Sequence, residues 1–340
     1  MDLCELTKEL YSSWDEFCMK SDDAWFWHTT DWLDYSLALR PEHESKQMSF
    51  AVKNNNEIIA ICPLIMNNLS GKNVFTYDNE VPGETPALKN TLPLRQKNKL
   101  YQVIFNHIDQ LAKANNVHSC LMKINPIASA FTFLHGSRFQ YNYLMRFGFF
   151  NTSLNTQIID LSKSLEQLMF EMRESHRYDI KRGDAIYTTT IFDSNTITKE
   201  IFDQYREMHH KAAGRITRPL ETFEMMYQMI KNKKAILCVT EHNQKTIGCA
   251  YVNTYKAGAF YSSSSDDPDV CTPVPVSHCI QWNIIKWLKN NGFVYYEIGL
   301  QQFSDQLYNH PSKKDISISK FKRGFGGMTM PRFSGERIYV

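Results

Sequence analysis

What most constrains this chain is an order of hydrophobic periodicities that occurs twice. Leu10, Trp14 and Phe17 stand at helical spacing in a segment running from Leu6 to Met19, and a second helix is predicted from the Thr29-Thr30-Asp31 cap to about Leu39. Alternating stretches at 48–52 and 57–66, joined through Asn54-Asn55-Asn56, predict a hairpin. A strand near Val74-Phe75-Thr76-Tyr77, an amphipathic helix over 97–114 and a buried strand over 117–124 complete the set. A strand at 155–161 and a helical pattern from Ser162 to about Arg182 follow, and then the order returns. It reads as a strand at 187–192, helices at 198–213 and 220–232, paired strands at 235–240 and 246–254, a strand at 257–264, a helix at 274–289 and a strand at 293–298. The duplication lies in the order of elements, with no repeat of letters.

A chain of 340 residues exceeds the usual size of a single core, and two mixed α/β modules account for it. The expected domains are 1–163 and 164–340, each a mixed sheet flanked by helices. With 43% hydrophobic and 22% charged residues the chain has ample core material. Its net charge of +2 provides no general pull toward nucleic acid or an anionic membrane, so anion binding must come from a local cluster. The apolar run Ile58 to Met66 is too short to span a bilayer and contains Pro63, and Met1 to Glu5 lacks the basic and apolar regions of a secretory signal. A cytoplasmic protein with no transmembrane segment and no DNA partner is expected. The eight cysteines are scattered without a Cys-x-x-Cys pair, so neither a disulfide frame nor a metal site is expected. The phosphate-binding, dinucleotide-binding, nucleophile-elbow and zincin patterns are all missing.

Chemistry concentrates in a few stretches. In Ile316 to Gly327, the apolar Ile316, Ile318, Phe321 and Phe325 can anchor on a core while Lys320, Lys322 and Arg323 stay available to an anion. Gly324, Gly326 and Gly327 would let backbone approach a ligand, although the same letters also suit a plain helix C-terminus, where cations are favourable. Tyr261-Ser262-Ser263-Ser264-Ser265-Asp266-Asp267 puts hydroxyls and carboxylates at a strand end, suiting either a solvated turn or a polar wall around a substrate amine. Glu297, beside Gly299, is a strand-end carboxylate able to face a cleft as base or ligand. Arg173, His176, Arg177, Lys181 and Arg182 form a basic helix end. His209 and His210 point to different faces of a helix, one to the core and one to the surface, and His278 reads as packing.

Together these pieces resemble the FemAB family of aminoacyl and acyl transferases, built of two GNAT-like modules in tandem. The resemblance rests on Phe26-Trp27-His28-Thr29-Thr30-Asp31-Trp32, on Gly148-Phe149-Phe150 leading to Thr156 through Leu161, and on Arg177-Tyr178-Asp179-Ile180-Lys181-Arg182. It continues through Gly248, Tyr261 and Tyr296-Glu297-Ile298-Gly299 and closes on Lys320 through Gly327. It implies transfer of an acyl or aminoacyl group onto an amine of a cell-envelope precursor, a peptidoglycan peptide or an amino sugar. The donor would be aminoacyl-tRNA or acyl-CoA, with no permanently bound cofactor and an acceptor that is a small molecule or lipid-linked. Within that reading Lys322, Lys320, Glu297 and Asp266 are the candidate catalytic residues, and Arg177, Lys181, Arg182, Tyr261, Ser263 and Arg323 the candidate substrate-binding ones. The final strand, about 328–340, is free to cross back toward the first domain. The chain departs from ordinary GNAT enzymes in lacking the glycine-rich acetyl-CoA loop, since Asp267 to Val276 carries prolines. Two other readings remain open: a non-catalytic two-lobed binder of a nucleotide-sugar, peptide or partner protein, and an acyl-CoA-dependent N-acyltransferase of surface-polysaccharide synthesis.

Overall fold

The structure, a computed structural model, describes residues 1–79, 81–129, 131, 141–304 and 310–339. It divides into two units, one of Met1–Leu154 with Pro331–Val340, the other of Asn155–Met330. In chain order the first contains β1 (Asp2–Glu5), α1 (Tyr11–Lys20), α2 (Thr30–Leu39), β2 (Lys46–Gln47), β3 (Phe50–Asn54), β4 (Glu57–Cys62), β5 (Ile65–Leu69), β6 (Lys72–Phe75), β7 (Gly83–Glu84), β8 (Ala87–Leu88), α3 (Leu94–Ala114), β9 (Val117–Lys123) and β10 (Phe150–Asn151). The second contains β11 (Leu154–Asp160), α4 (Leu165–Glu171), α5 (Glu174–Asp184), β12 (Thr188–Phe192), α6 (Lys199–Ala213), α7 (Leu220–Lys231), β13 (Ala235–His242), β14 (Lys245–Tyr255), β15 (Gly258–Asp266), α8 (Val276–Asn290), β16 (Tyr295–Gln301), α9 (Lys313–Arg323) and β17 (Met328–Arg332). The last strand, β18 (Ser334–Ile338), belongs to the first unit.

Among the described residues the first unit has two sheets. One runs β1-β3-β4-β8 and the other β10-β18-β9-β6-β5-β2, with β7 also on β9. The β3–β4 hairpin turns at Asn55 and Asn56, whose φ of 49° and 65° lie in the left-handed region that asparagine tolerates. Pro63 splits what the alternation presents as one strand over 57–66 into β4 and β5. The sequence reading misses β1 altogether, because its four residues are too few to show a period. β18 lies between β10 and β9, pairing antiparallel with both, so the chain end fills an interior position of this sheet.

In the second unit one sheet runs β12-β13-β14-β15-β16-β11-β17. From β12 to β15, and between β16 and β11, the pairs are antiparallel, whereas β16 runs parallel to β15, from which it is reached through the α8 crossover. Ile159, Ile236, Val252, Ile280, Ile284, Tyr296 and Ile298 form its core, each at most 2% exposed. The helical pattern from Ser162 breaks at Met172, whose ψ of 152° is extended, so α4 and α5 are separate helices. Ser164 opens α4 and Ser312 opens α9, each in a reciprocal cap with the residue three positions on, Gln167 and Asp315.

Candidate functional site

The two units use the same parallel strand pair and finish it differently. In the first, β6 pairs with β9 as far as Phe75↔Cys120, and β7 then continues along the same edge with Gly83↔Met122 and Glu84↔Lys123. In the second, β15 and β16 pair only at Gly258↔Tyr295, Ala259↔Tyr296 and Phe260↔Glu297. Beyond Glu297 the edge of β16 that faces β15 has no ladder partner among the described residues. A register shift between Tyr251 and Val252, opposite Tyr261 and Ser263, makes Ser262 an extra residue in β15. Such a bulge bends its strand and raises its twist, the physical reason for the two strands to part here. An opening bordered by unpaired backbone is where an extended ligand can be held.

Lys322 on α9 lies against β16 just past its last pair with β15. Gly299 has φ +106°, and a Cβ built on it would stand 2.8 Å from the Lys322 ammonium nitrogen. The glycine in Tyr296-Glu297-Ile298-Gly299 therefore leaves room for an ammonium against β16. Glu297, two residues earlier, is 2% exposed and accepts a hydrogen bond of 2.7 Å from the Thr156 hydroxyl on β11. At the end of β16 the Arg323 guanidinium donates to Gln301 Oε1 at 2.8 Å and lies 4.6 Å from the centre of the Phe303 ring. Glu297 from one stretch of sequence and Lys322 and Arg323 from another thus converge along one strand. Gln301, the room-making part of Gly299 and the place of Thr156 beside Glu297 escaped the sequence reading. Thr156 is 141 positions from Glu297, and no local pattern signals such a pair.

The remaining candidates lie elsewhere. Lys320 and Lys181 are exposed. The Arg177 guanidinium donates to the carbonyls of Phe170 and Met172 at 2.9 and 2.7 Å, and Arg182 reaches the Pro273 carbonyl at 3.4 Å. Ser263 hydrogen-bonds the Tyr205 hydroxyl of α6 at 2.7 Å. Burial pushes the Tyr261 phenol up to about 12, so it stays protonated. Asp266 accepts from the Ser277 hydroxyl at 2.9 Å, setting a carboxylate at the first turn of α8; burial raises its pKa and that hydrogen bond opposes the rise.

The glycines after Arg323 serve the chain's own packing. A Cβ on Gly324 would fall on His176 Nε2, and one on Gly327 on the Ile158 carbonyl oxygen. Phe325 is buried, whereas Ile318, expected to anchor the stretch, is 40% exposed. The His176 ring donates from Nε2 to the Phe321 carbonyl at 2.9 Å and meets His278 edge to face, centroids 4.4 Å apart. Burial lowers the pKa of both, that of His278 to about 4. His209 is held between Ser265 at 3.3 Å and Thr217 at 2.9 Å, with the Arg218 guanidinium at 3.3 Å from Nε2. Because that guanidinium only donates, Nε2 is the acceptor and the ring proton sits on Nδ1. Burial, helped by Arg218, takes His209 to about 4. His209 and His210 are both half-buried, in place of the expected core and surface pair.

Among the described residues no three His, Cys, Asp or Glu side chains are grouped so as to hold a metal ion, and no helix is long and apolar enough to cross a membrane. No family model and no curated protein sequence matches the chain. Solved structures do match over nearly all of it. The crystal structure of FemX aligns with 100% of this chain and 98% of its own at 12% identity and a TM-score of 0.67. L-PGS from Bacillus licheniformis covers 91% of each chain at 11% identity and a TM-score of 0.56. A tandem GNAT protein from the clavulanic acid biosynthesis pathway covers 99% of this chain and 98% of its own at 11% identity and a TM-score of 0.53. The mixed α/β architecture of this chain is accordingly the fold of tandem GNAT-like proteins, FemX among them.

Proposed function

We propose that the chain is an acyltransferase that moves an acyl or aminoacyl group onto an amine of a cell-envelope precursor, with the opening beside β16 as its site. The observation that carries this reading is the edge of β16 left without a ladder partner among the described residues, with the Lys322 ammonium against Gly299 and the buried Glu297 carboxylate two residues before it. The extended arm of a donor would hydrogen-bond along that edge as an added strand does. The acceptor nitrogen then attacks the donor carbonyl carbon, forming the C–N bond. Lys322 stabilises the oxyanion that develops, and Glu297 orients the amine and takes its proton. The bond from carbonyl carbon to the donor's ester oxygen or thioester sulfur breaks, and the proton ends on that leaving atom.

An ester-borne aminoacyl donor is favoured over CoA. A pyrophosphate at the start of α8 would need N–H donors and no competing anion, and the entry to this helix supplies Pro273, Pro275 and the Asp266 carboxylate. Lys320 and Lys181 are left for the phosphates of a larger donor.

The test is turnover of labelled aminoacyl-tRNA and acyl-CoA donors with peptidoglycan-precursor and amino-sugar acceptors, with and without ribonuclease. Lys322→Met and Glu297→Gln are each expected to lower kcat by about 100-fold or more, the usual cost of losing one charge-stabilising group. Full turnover in both variants would overturn the assignment. Stoichiometric binding without turnover across the panel would instead mark a binding protein.

A further inference from the structure

One face of the second unit, where α4, α5 and α9 meet, carries exposed rings and lysines of which only Lys320 and Lys181 have a part in the transfer chemistry. Phe170 on α4 is 80% exposed and Tyr178 on α5 is 61% exposed. Arg177, through its bonds to the Phe170 and Met172 carbonyls, fixes the two helices together, and the Arg182 guanidinium lies 5.3 Å from the Tyr178 ring centre. α9 abuts α5 through His176 on the Phe321 carbonyl and Arg173 on the Lys320 carbonyl, the latter at 3.1 Å. On α9 Lys313, Lys314, Ser317, Ile318 and Lys320 are all exposed, and their spacing lines them along one outward stripe.

Charge on this face is uneven. From α4 through α5 the carboxylates of Glu166, Glu171, Glu174, Asp179 and Asp184 offset the cations of Arg173, Arg177, Lys181 and Arg182. Along the exposed side of α9, however, Lys313, Lys314 and Lys320 outnumber the one carboxylate of the helix, Asp315. Protruding rings on α4 and α5 and a cationic, partly aliphatic stripe on the helix packed against α5 suit a lipid–water boundary, where rings enter the headgroup layer and ammonium groups meet lipid phosphates. RNA would satisfy the cations but gain nothing from the aliphatic Ile318, which has no ring to stack on a base.

We propose that the α4–α5–α9 face docks the protein on an anionic lipid bilayer. The inner side of α9 bears Lys322, so docking would hold the site near the membrane, but the proposal does not depend on the transferase reading, since binding is measured without substrate. The experiment is flotation of the full chain with phosphatidylcholine vesicles with and without phosphatidylglycerol, over a range of salt. Binding is expected only with phosphatidylglycerol, weakening as salt rises. The double variant Lys313→Ala, Lys314→Ala should lower the partition coefficient about 25-fold, at about fivefold per surface lysine. Phe170→Ala should lower it about tenfold even at high salt, where ring burial is the remaining term. Thermal melting of these surface variants should match the parent chain. Equal partition onto neutral and anionic vesicles overturns the proposal, as does parent-like binding by the variants. Retention on homopolymeric RNA that anionic vesicles do not displace would assign the face to nucleic acid and equally overturn it.

Discussion

Gly299 is the residue on which the candidate site depends most closely. Any other side chain there must adopt φ near +106° and occupy the space of the Lys322 ammonium. Gly299→Ala is expected to destabilise the protein by about 1–3 kcal/mol from backbone strain and displacement together, read as a lower urea midpoint. It should also cut transfer by an amount comparable to loss of Lys322. Combining it with Lys322→Ala should recover part of the stability, because the two changes share one volume and are not additive. A simple sum of the two single effects would count against this packing. Glu297 differs in kind: Gln at this position keeps an acceptor for the Thr156 hydroxyl, so Glu297→Gln should fold normally while Glu297→Leu should not.

At the scale of elements, α9 is held in place by histidines that the sequence offered only as packing or as part of a basic helix end. His176 and His278 are buried against Phe321 and Phe325, and burial disfavours their charged forms. Their folded pKa values therefore lie below the ordinary histidine value of about 6.5, so between that pH and about 4 the unfolded chain binds more protons than the folded one. Stability is full above the unfolded value and is lost as pH falls toward 4, with His209 adding to the same window. Urea midpoints should fall over this range by an amount equivalent to a few kcal/mol, and His278→Gln should flatten the slope. A pH-independent midpoint in the parent chain would contradict the burial of these rings. Gly324→Ala should be more damaging than most core changes, since its methyl group would have to displace His176 from the Phe321 carbonyl.

At the scale of the whole molecule, the end of the chain completes its beginning. β18 fills the sheet position between β9 and β10, so removing 331–340 would bare two strand edges in the first unit. Deletion of these ten residues is expected to raise amide exchange throughout β9 and β10 while the second unit keeps its protection away from β11 and the shortened β17; unchanged exchange in β9 would refute it. The duplicated order of elements, the Asn54 to Asn56 turn, α8 and most of β16 were all legible beforehand, because each is written in local periodicity or turn chemistry. Less was legible of the site. Glu297 and Lys322 stood out as letters, but Arg177, equally prominent, is engaged with main-chain carbonyls, and the glycines after Arg323 make room for His176 and Ile158.

Sequence by itself determined most of the longer helices and strands and that their order occurs twice, since those properties arise from neighbours a few residues apart. Only the tertiary structure decided which of the two parallel strand pairs stays open. β7 returns to cover the edge of β9, whereas a bulge at Ser262 turns β15 away from β16, and both outcomes depend on hydrogen bonds between segments with no sequence proximity. The same holds for Lys322: its place against Gly299 comes from the packing of α9 on β16, which no spacing within either element encodes.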